Sequence, residues 1–326
     1  MKYAFEEIPI NEIENIKIGN AENTEYATGC TVIICEKGMA AGIDVRGGGP
    51  ASRETELLNP SASAEVIHAV LLSGGSAFGL DAAGGVMEYL AEKGIGFTVG
   101  DIHVPLVCQS CIFDLAFVSD KVKPDKAMAK KACENAELNS PSQGNFGAGT
   151  GATVGKFCEP ERIMNSGLGI YAVKLGDLKV GAVVAVNAMG DVYDFETGKV
   201  LAGMRTKDGK SIDNSEAALY EMYLKDPLYS APNTNTTIGA IITNAKFDKA
   251  KLNKIAAMAQ NGLARSIRPV HTLSDGDTVY ALSSGDVAAD VNVVGTLASH
   301  VMAAAIRNAV LNCGSFHGVP GAKDLM

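Results

Sequence analysis

A threonine opening a strand, two aspartates one residue apart and two glycine-rich loops are the parts of this sequence best suited to chemistry. Thr236 follows the turn-rich linker YSAPNTN (229–235) and starts the apolar, β-branched run TTIGAIIT. A threonine so placed can act as a nucleophile once the bond before it is cut, because its freed α-amine then serves as the base. Asp275 and Asp277 flank Gly276. In extended backbone such a pair points to one face, and two close carboxylates can raise one pKa and hold an amine or a hydroxyl. On spacing alone, an ordinary strand-opening residue also accounts for Thr236, and a solvated turn accounts for the aspartates.

Competing motifs fail on context. Residues 147–152 (GAGTGA) have the G-x-G-x-x-A form of a dinucleotide loop. However, the preceding residues are polar rather than a strand, and no acidic residue closes a strand about twenty positions on. Residues 151–156 (GATVGK) are too short for a P-loop and continue into Phe157 where Ser or Thr is required. In GGSAF, Phe78 stands where a nucleophile elbow needs glycine, so Ser76 reads as a helix N-cap. Cys108 and Cys111 form a C-x-x-C with no second pair beside it, which suits buried packing better than zinc. His68, His103, His271, His300 and His317 form no metal or catalytic motif and read as structural residues. No cofactor and no metal are expected.

Composition narrows the classes further. Of 326 residues, 28 are Lys or Arg and 37 are Asp or Glu, for a net charge of −9. No basic stripe is present, which argues against a nucleic-acid partner. The N-terminus is acidic and lacks a basic-then-apolar leader, and no run approaches the roughly 18 apolar residues of a membrane span. Seven cysteines, an odd number, fit reduced thiols. A cytoplasmic protein with no membrane partner is the expectation.

The elements that must position the candidates follow from periodicity. Strands are expected at 16–18, 30–35, 169–174, 179–187, 236–243 and 274–283, with a hairpin turn at Gly176–Asp177. Helices are expected at 77–93, over the charged surface segment 121–139, near 217–224, at 248–262 closed by Asn261–Gly262, and at 291–311. Glycine-rich loops fall at 46–50 and 140–155. Elements alternate in runs, which favours α+β layers over a doubly wound sheet.

Taken together, the segments DVRGGGPASRETE (44–56), LSGGSAFGLDAAGGV (72–86), IFDL (112–115), GNFGAGTGATVGK (144–156), NTTIGAIITNA (235–245) and DGD (275–277) resemble the L-aminopeptidase/D-esterase family. That family includes β-peptidyl aminopeptidases and nylon-oligomer hydrolases, and is distantly similar to ornithine acetyltransferase. The resemblance implies a four-layer α-β-β-α sandwich formed by one self-processing domain, residues 1–326. It also implies self-cleavage between Asn235 and Thr236 into chains 1–235 and 236–326.

By the same resemblance, Thr236 is the nucleophile, and its new α-amine is the base. Asp275 and Asp277 orient Thr236 and tune that amine. Asn187 stabilises the oxyanion, Lys156 stands near the nucleophile, and the loop carrying Gly144, Asn145, Gly147, Gly149 and Gly151 lines the pocket. The substrate expected is a small peptide or amide, and the assembly a homo-oligomer, a tetramer in many relatives. Asn-Thr at the cut and the Asp…Asp pair are closer to the nylon-hydrolase branch than to the Gly-Ser and Ser…Glu pattern of the aminopeptidases. Cys108 and Gln109 depart from the small or apolar residues usual there. An acyltransferase using the same nucleophile and an uncleaved, non-enzymatic relative remain as alternatives.

Overall fold

The computed structural model describes residues 3–229 and 234–325. Residues 230–233 of the expected linker lie outside this range. Two sheets stack face to face, joined by one long bent strand, Thr28–Val45. Its first half pairs with Lys17–Asn23 and Ile67–Ser73, and its second half with Thr278–Val287. The register breaks between Ile34 and Met39, where Gly38 takes φ +78°. That kink lets one strand serve both sheets. The sequence marked only 30–35 of it, because Glu36–Lys37–Gly38 reads as a turn.

The first sheet continues outward through Val107–Cys111 and Ala51–Arg53. The second runs through Thr278–Val287, Thr236–Ala245, Leu178–Asn187 and Leu168–Leu175 to Glu6–Ile8. Between the sheets, Ile33, Val70, Leu72, Val183, Ile238 and Tyr280 form one apolar layer. Helices α1 (Ala83–Glu92) and α2 (Lys126–Ala136) cover the first sheet. Helices α4 (Lys249–Ser266) and α5 (Val291–Leu311) cover the second. A further helix, α3 (Ser215–Lys225), lies outside these layers. The architecture is the α-β-β-α sandwich.

The alternation inside Thr236–Ala245 shows why the layers hold. Ile238, Ala240 and Ile242 enter the layer between the sheets, while Ile241 and Ala245 face the helices. With both faces covered, the middle of the strand, Ile238–Ile242, is continuously apolar rather than alternating. It pairs in parallel with Thr278–Val287 through the α4 crossover.

Several local expectations need correction. The expected helix 77–93 is a 3-10 segment, Ser76–Ala82, followed by α1. Ser76 does not cap it. Ser76 has φ +51°, its N–H goes to Ile112 O, and the Gly75 N–H goes to Asp114 Oδ1. Residues 112–114 thus hold the backbone at 75–76, and the Gly79 N–H, which a cap at Ser76 could have taken, goes to Gly75 O. Helix α2 starts only after Asp125, whose carboxylate accepts the Met128 N–H, and its Ala129, Ala132, Cys133 and Ala136 face is buried. Helix α4 passes through Gly262 to Ser266. There the missing side chain makes room for α5, since a β-carbon would stand 2.8 Å from Met302 Cβ. Helix α5 is long and apolar enough to cross a membrane by length and composition, contrary to expectation, but it is mostly buried as a core helix.

Candidate active site

The antiparallel pairing of Leu178–Asn187 with Thr236–Ala245 sets Asn187 opposite Thr236. One strand's last residue thus meets the other's first, and both are buried. The Thr236 hydroxyl donates to the carbonyl oxygen of Asn235. The Gly276 N–H donates to the same oxygen at 2.9 Å. A β-carbon at Gly276 would stand 2.8 Å from Thr236 Oγ1, so only glycine allows this approach.

The glycine-rich loop at 46–49 holds this corner from outside. Arg46 and Gly47 donate their N–H groups to Asp277 O, Gly48 to Thr272 O and Gly49 to Asp275 O. A β-carbon on Gly47 would sit 2.3 Å from the Asp277 nitrogen. The sequence marked 46–50 as a glycine-rich loop, but its partner at 272–277, far away along the chain, could not be read from spacing.

Both aspartates are buried and turn toward separate donors. Asp275 Oδ2 accepts the Thr272 N–H at 2.8 Å and the Thr272 hydroxyl at 2.6 Å. Burial and the neighbouring Asp277 charge raise the Asp275 carboxyl to about 6. Asp277 Oδ1 accepts the Thr237 N–H at 2.7 Å, and Oδ2 lies 2.8 Å from His271 Nδ1. Asp277 therefore reaches Thr236 through the next residue along the strand. His271 had read as structural, and its link to Asp277 left no motif.

Lys156 Nζ donates to Asn187 O at 2.8 Å, Asn187 Oδ1 at 2.8 Å and Thr234 O at 3.0 Å. Burial lowers its ammonium to about 7, against the pull of Asp275, Asp114 and Asp277. Asn187 Nδ2 donates to Phe113 O at 2.9 Å and Thr234 O at 3.3 Å. The carbonyl oxygen of Thr234 thus takes a hydrogen bond from each of these two side chains.

The groups of the glycine-rich loop at 144–151 are largely engaged within the fold. The N–H groups of Gly144, Gly147 and Gly149 already donate to Leu168 O, Glu22 Oε2 and Phe146 O, and the Asn145 amide bonds Ser166 O. Of these glycines, Gly151 borders the cleft. That cleft, about 260 Å³, is lined by Phe113, Asp114, Phe117, Lys156, Cys158 and Thr234 among others. Asp114 went unassigned in the sequence. It is buried, accepts the Thr28 hydroxyl at 2.6 Å and the Gly75 N–H at 2.7 Å, and burial raises its carboxyl.

The remaining candidates stay apart from this centre. Cys108 and Cys111 occupy one buried strand, with Cys108 Sγ against Glu54 O and Cys111 Sγ against Ser73 Oγ. Burial pushes both thiols up to about 12, which agrees with packing rather than redox exchange. Among the described residues, no group of three or more His, Cys, Asp or Glu gathers as a metal site.

Comparison with known proteins gives the family and the fold. Residues 9–323 match the model of peptidase family S58. An uncharacterized aminopeptidase of Mycobacterium leprae is 36% identical over 95% of this chain and 92% of its own. A 6-aminohexanoate-oligomer endohydrolase of a Kocuria species is 30% identical over 92% of this chain and 87% of its own. Among solved structures, the L-aminopeptidase D-Ala-esterase/amidase of Ochrobactrum anthropi, described as a variant of the Ntn-hydrolase fold, superposes with a TM-score of 0.70. It does so at 16% identity, covering 95% of this chain and 88% of that one. A Burkholderia β-aminopeptidase gives 0.67 at 18% identity, covering 97% and 91%.

Proposed function

This chain belongs to peptidase family S58, and from that premise we propose that it is a self-processing amide-bond hydrolase with Thr236 as its N-terminal nucleophile. The observation that carries the reading is the double hydrogen bond on the Asn235 carbonyl oxygen, from the Thr236 hydroxyl and the Gly276 N–H. Attack of Oγ1 on that carbonyl carbon forms an ester and breaks the C–N bond, and the hydroxyl proton passes to the departing nitrogen. Water then hydrolyses the ester, leaving a carboxylate on Asn235 and a free α-amine on Thr236. The products have 235 and 91 residues (326 − 235). Before cleavage Thr236 has no free amine, and Lys156 supplies the base.

In the cleaved enzyme the new amine takes the Oγ1 proton during attack on a substrate carbonyl. Departure of Thr234 frees Asn187 Nδ2 and Lys156 Nζ for the substrate's oxygen. Small peptides or amides are the substrates, entering the cleft beside Phe113 and Phe117. The exposed Phe97, Val99 and Ile102 support a homo-oligomeric assembly. Intact-mass measurement tests the reading. Two fragments, one beginning at Thr236, are expected, with Thr236→Ala remaining whole and inactive. A wild-type chain that stays whole after long incubation would refute it.

A further inference from the structure

His271 stands outside the groups that touch the scissile bond, yet it holds one of them. Its Nδ1 lies 2.8 Å from Asp277 Oδ2, and its backbone N–H reaches the same oxygen at 3.2 Å. The other oxygen, Oδ1, accepts the Thr237 N–H. Asp277 is 1% exposed, so these protein donors rather than water set its orientation. A carboxylate anchored at both oxygens cannot turn without breaking one anchor.

His271 also adopts φ +59°, a conformation unfavourable for a residue with a β-carbon and retained only where the surroundings impose it. Its Nε2 is buried without a hydrogen-bond partner, so the ring's polar contact is with Asp277. Because a carboxylate accepts there, Nδ1 carries the proton.

We propose that His271 is a positioning residue for the nucleophile, acting through Asp277. The imidazole fixes the carboxylate, Oδ1 fixes the Thr237 N–H, and the start of the strand then presents the Thr236 hydroxyl to the Asn235 carbonyl. This is the logic of a catalytic group oriented by a third residue. The inference rests on the self-cleaving reading above.

The test compares His271→Leu, His271→Asn and His271→Gln in the full chain, alone and with Asp277→Asn. His271→Leu is expected to slow self-cleavage and lower kcat of the mature enzyme about 10- to 100-fold, the range for losing a hydrogen bond to a charged acceptor. KM is expected to stay within about threefold, since a positioning defect acts in the transition state. His271→Asn places an amide N–H where Nδ1 stands and recovers most of the loss, whereas His271→Gln, one bond longer, does not. With Asp277→Asn already present, His271→Leu is expected to add less than about twofold, because the two residues act as a unit.

Wild-type rates in a folded His271→Leu protein would overturn the inference, as would equal losses in the Asn and Gln variants or full additivity with Asp277→Asn. Should His271→Leu fail to fold, the Asn-against-Gln comparison decides. A wild-type chain that never cleaves sinks the underlying reading together with this one. A wild type that cleaves alongside an unimpaired His271→Leu removes His271 alone.

Discussion

Gly276 donates its backbone N–H to the Asn235 carbonyl oxygen at 2.9 Å, the oxygen that the Thr236 hydroxyl also reaches. Two donors on one oxygen polarise the Asn235–Thr236 peptide, the bond whose cleavage is proposed. Ordinary mutation does not remove the backbone donor, but the site has no room for a side chain. A β-carbon would stand 2.8 Å from Thr236 Oγ1 and 2.9 Å from Gly49 O. Gly276→Ala is therefore expected to slow self-cleavage about 100-fold, the scale of a misplacement near 1 Å. A time course of intact mass checks this, and wild-type cleavage by the variant counts against it.

In the proposed self-cleavage, Asn187 is a side-chain donor that departure of Thr234 would release. Asn187→Ala is expected to lower kcat of the cleaved enzyme about 10²- to 10³-fold, as for a lost oxyanion donor. Its Oδ1 also accepts the Thr153 N–H at 3.1 Å, so a fall in thermal stability accompanies the loss. Steady-state kinetics on processed protein separates the two effects. A loss in kcat under about tenfold means that another donor holds the oxyanion.

The layers were legible because their strands bury both faces and carry continuous apolar stretches, as in Val180–Val186 and Ile238–Ile242. Thr236 was legible as a junction between linker and strand. The contacts that fix it were not, because two of them join loops distant in the chain, Gly49 on Asp275 and Gly276 on Asn235, and the third, His271 on Asp277, six residues away, follows no recognised motif. Local periodicity also misassigned Ser76 and Gly262. Residues 112–114 hold the backbone at Ser76, and at Gly262 the close approach of α5, not a helix end, is what glycine serves.

Asp114 tests how the cleft wall is held. Its carboxylate satisfies two donors, Thr28 Oγ1 and the Gly75 N–H. A β-carbon on Gly74 would stand 1.9 Å from Asp114 Oδ2, so the turn at 74–75 is built around it. Asp114→Ala strands a buried N–H and a hydroxyl, at about 1–3 kcal/mol for each unsatisfied group. Urea unfolding in a Thr236→Ala background, where the chain stays whole, is expected to show a loss of about 3 kcal/mol. An unchanged midpoint would mean that the turn stands without the carboxylate.

Lys156 and Asp275 set the expected pH dependence. Burial lowers the Lys156 ammonium from 10.5 to about 7, so its proton leaves as pH rises through 7. Burial and the Asp277 charge raise Asp275 to about 6, so it ionises as pH rises through 6. A lysine that serves as base must be neutral, so the first-order rate of self-cleavage is expected to climb as pH rises through about 7 and then level off. Lys156→Arg stays cationic throughout, and its profile is expected to be slow and flat over the same range. Rate constants from quenched time courses between about pH 5 and pH 9 make the comparison. A wild-type rate that falls as pH rises through 7 would assign the work to the ammonium form, with Lys156 acting as a donor to the Thr234 and Asn187 oxygens rather than as a base.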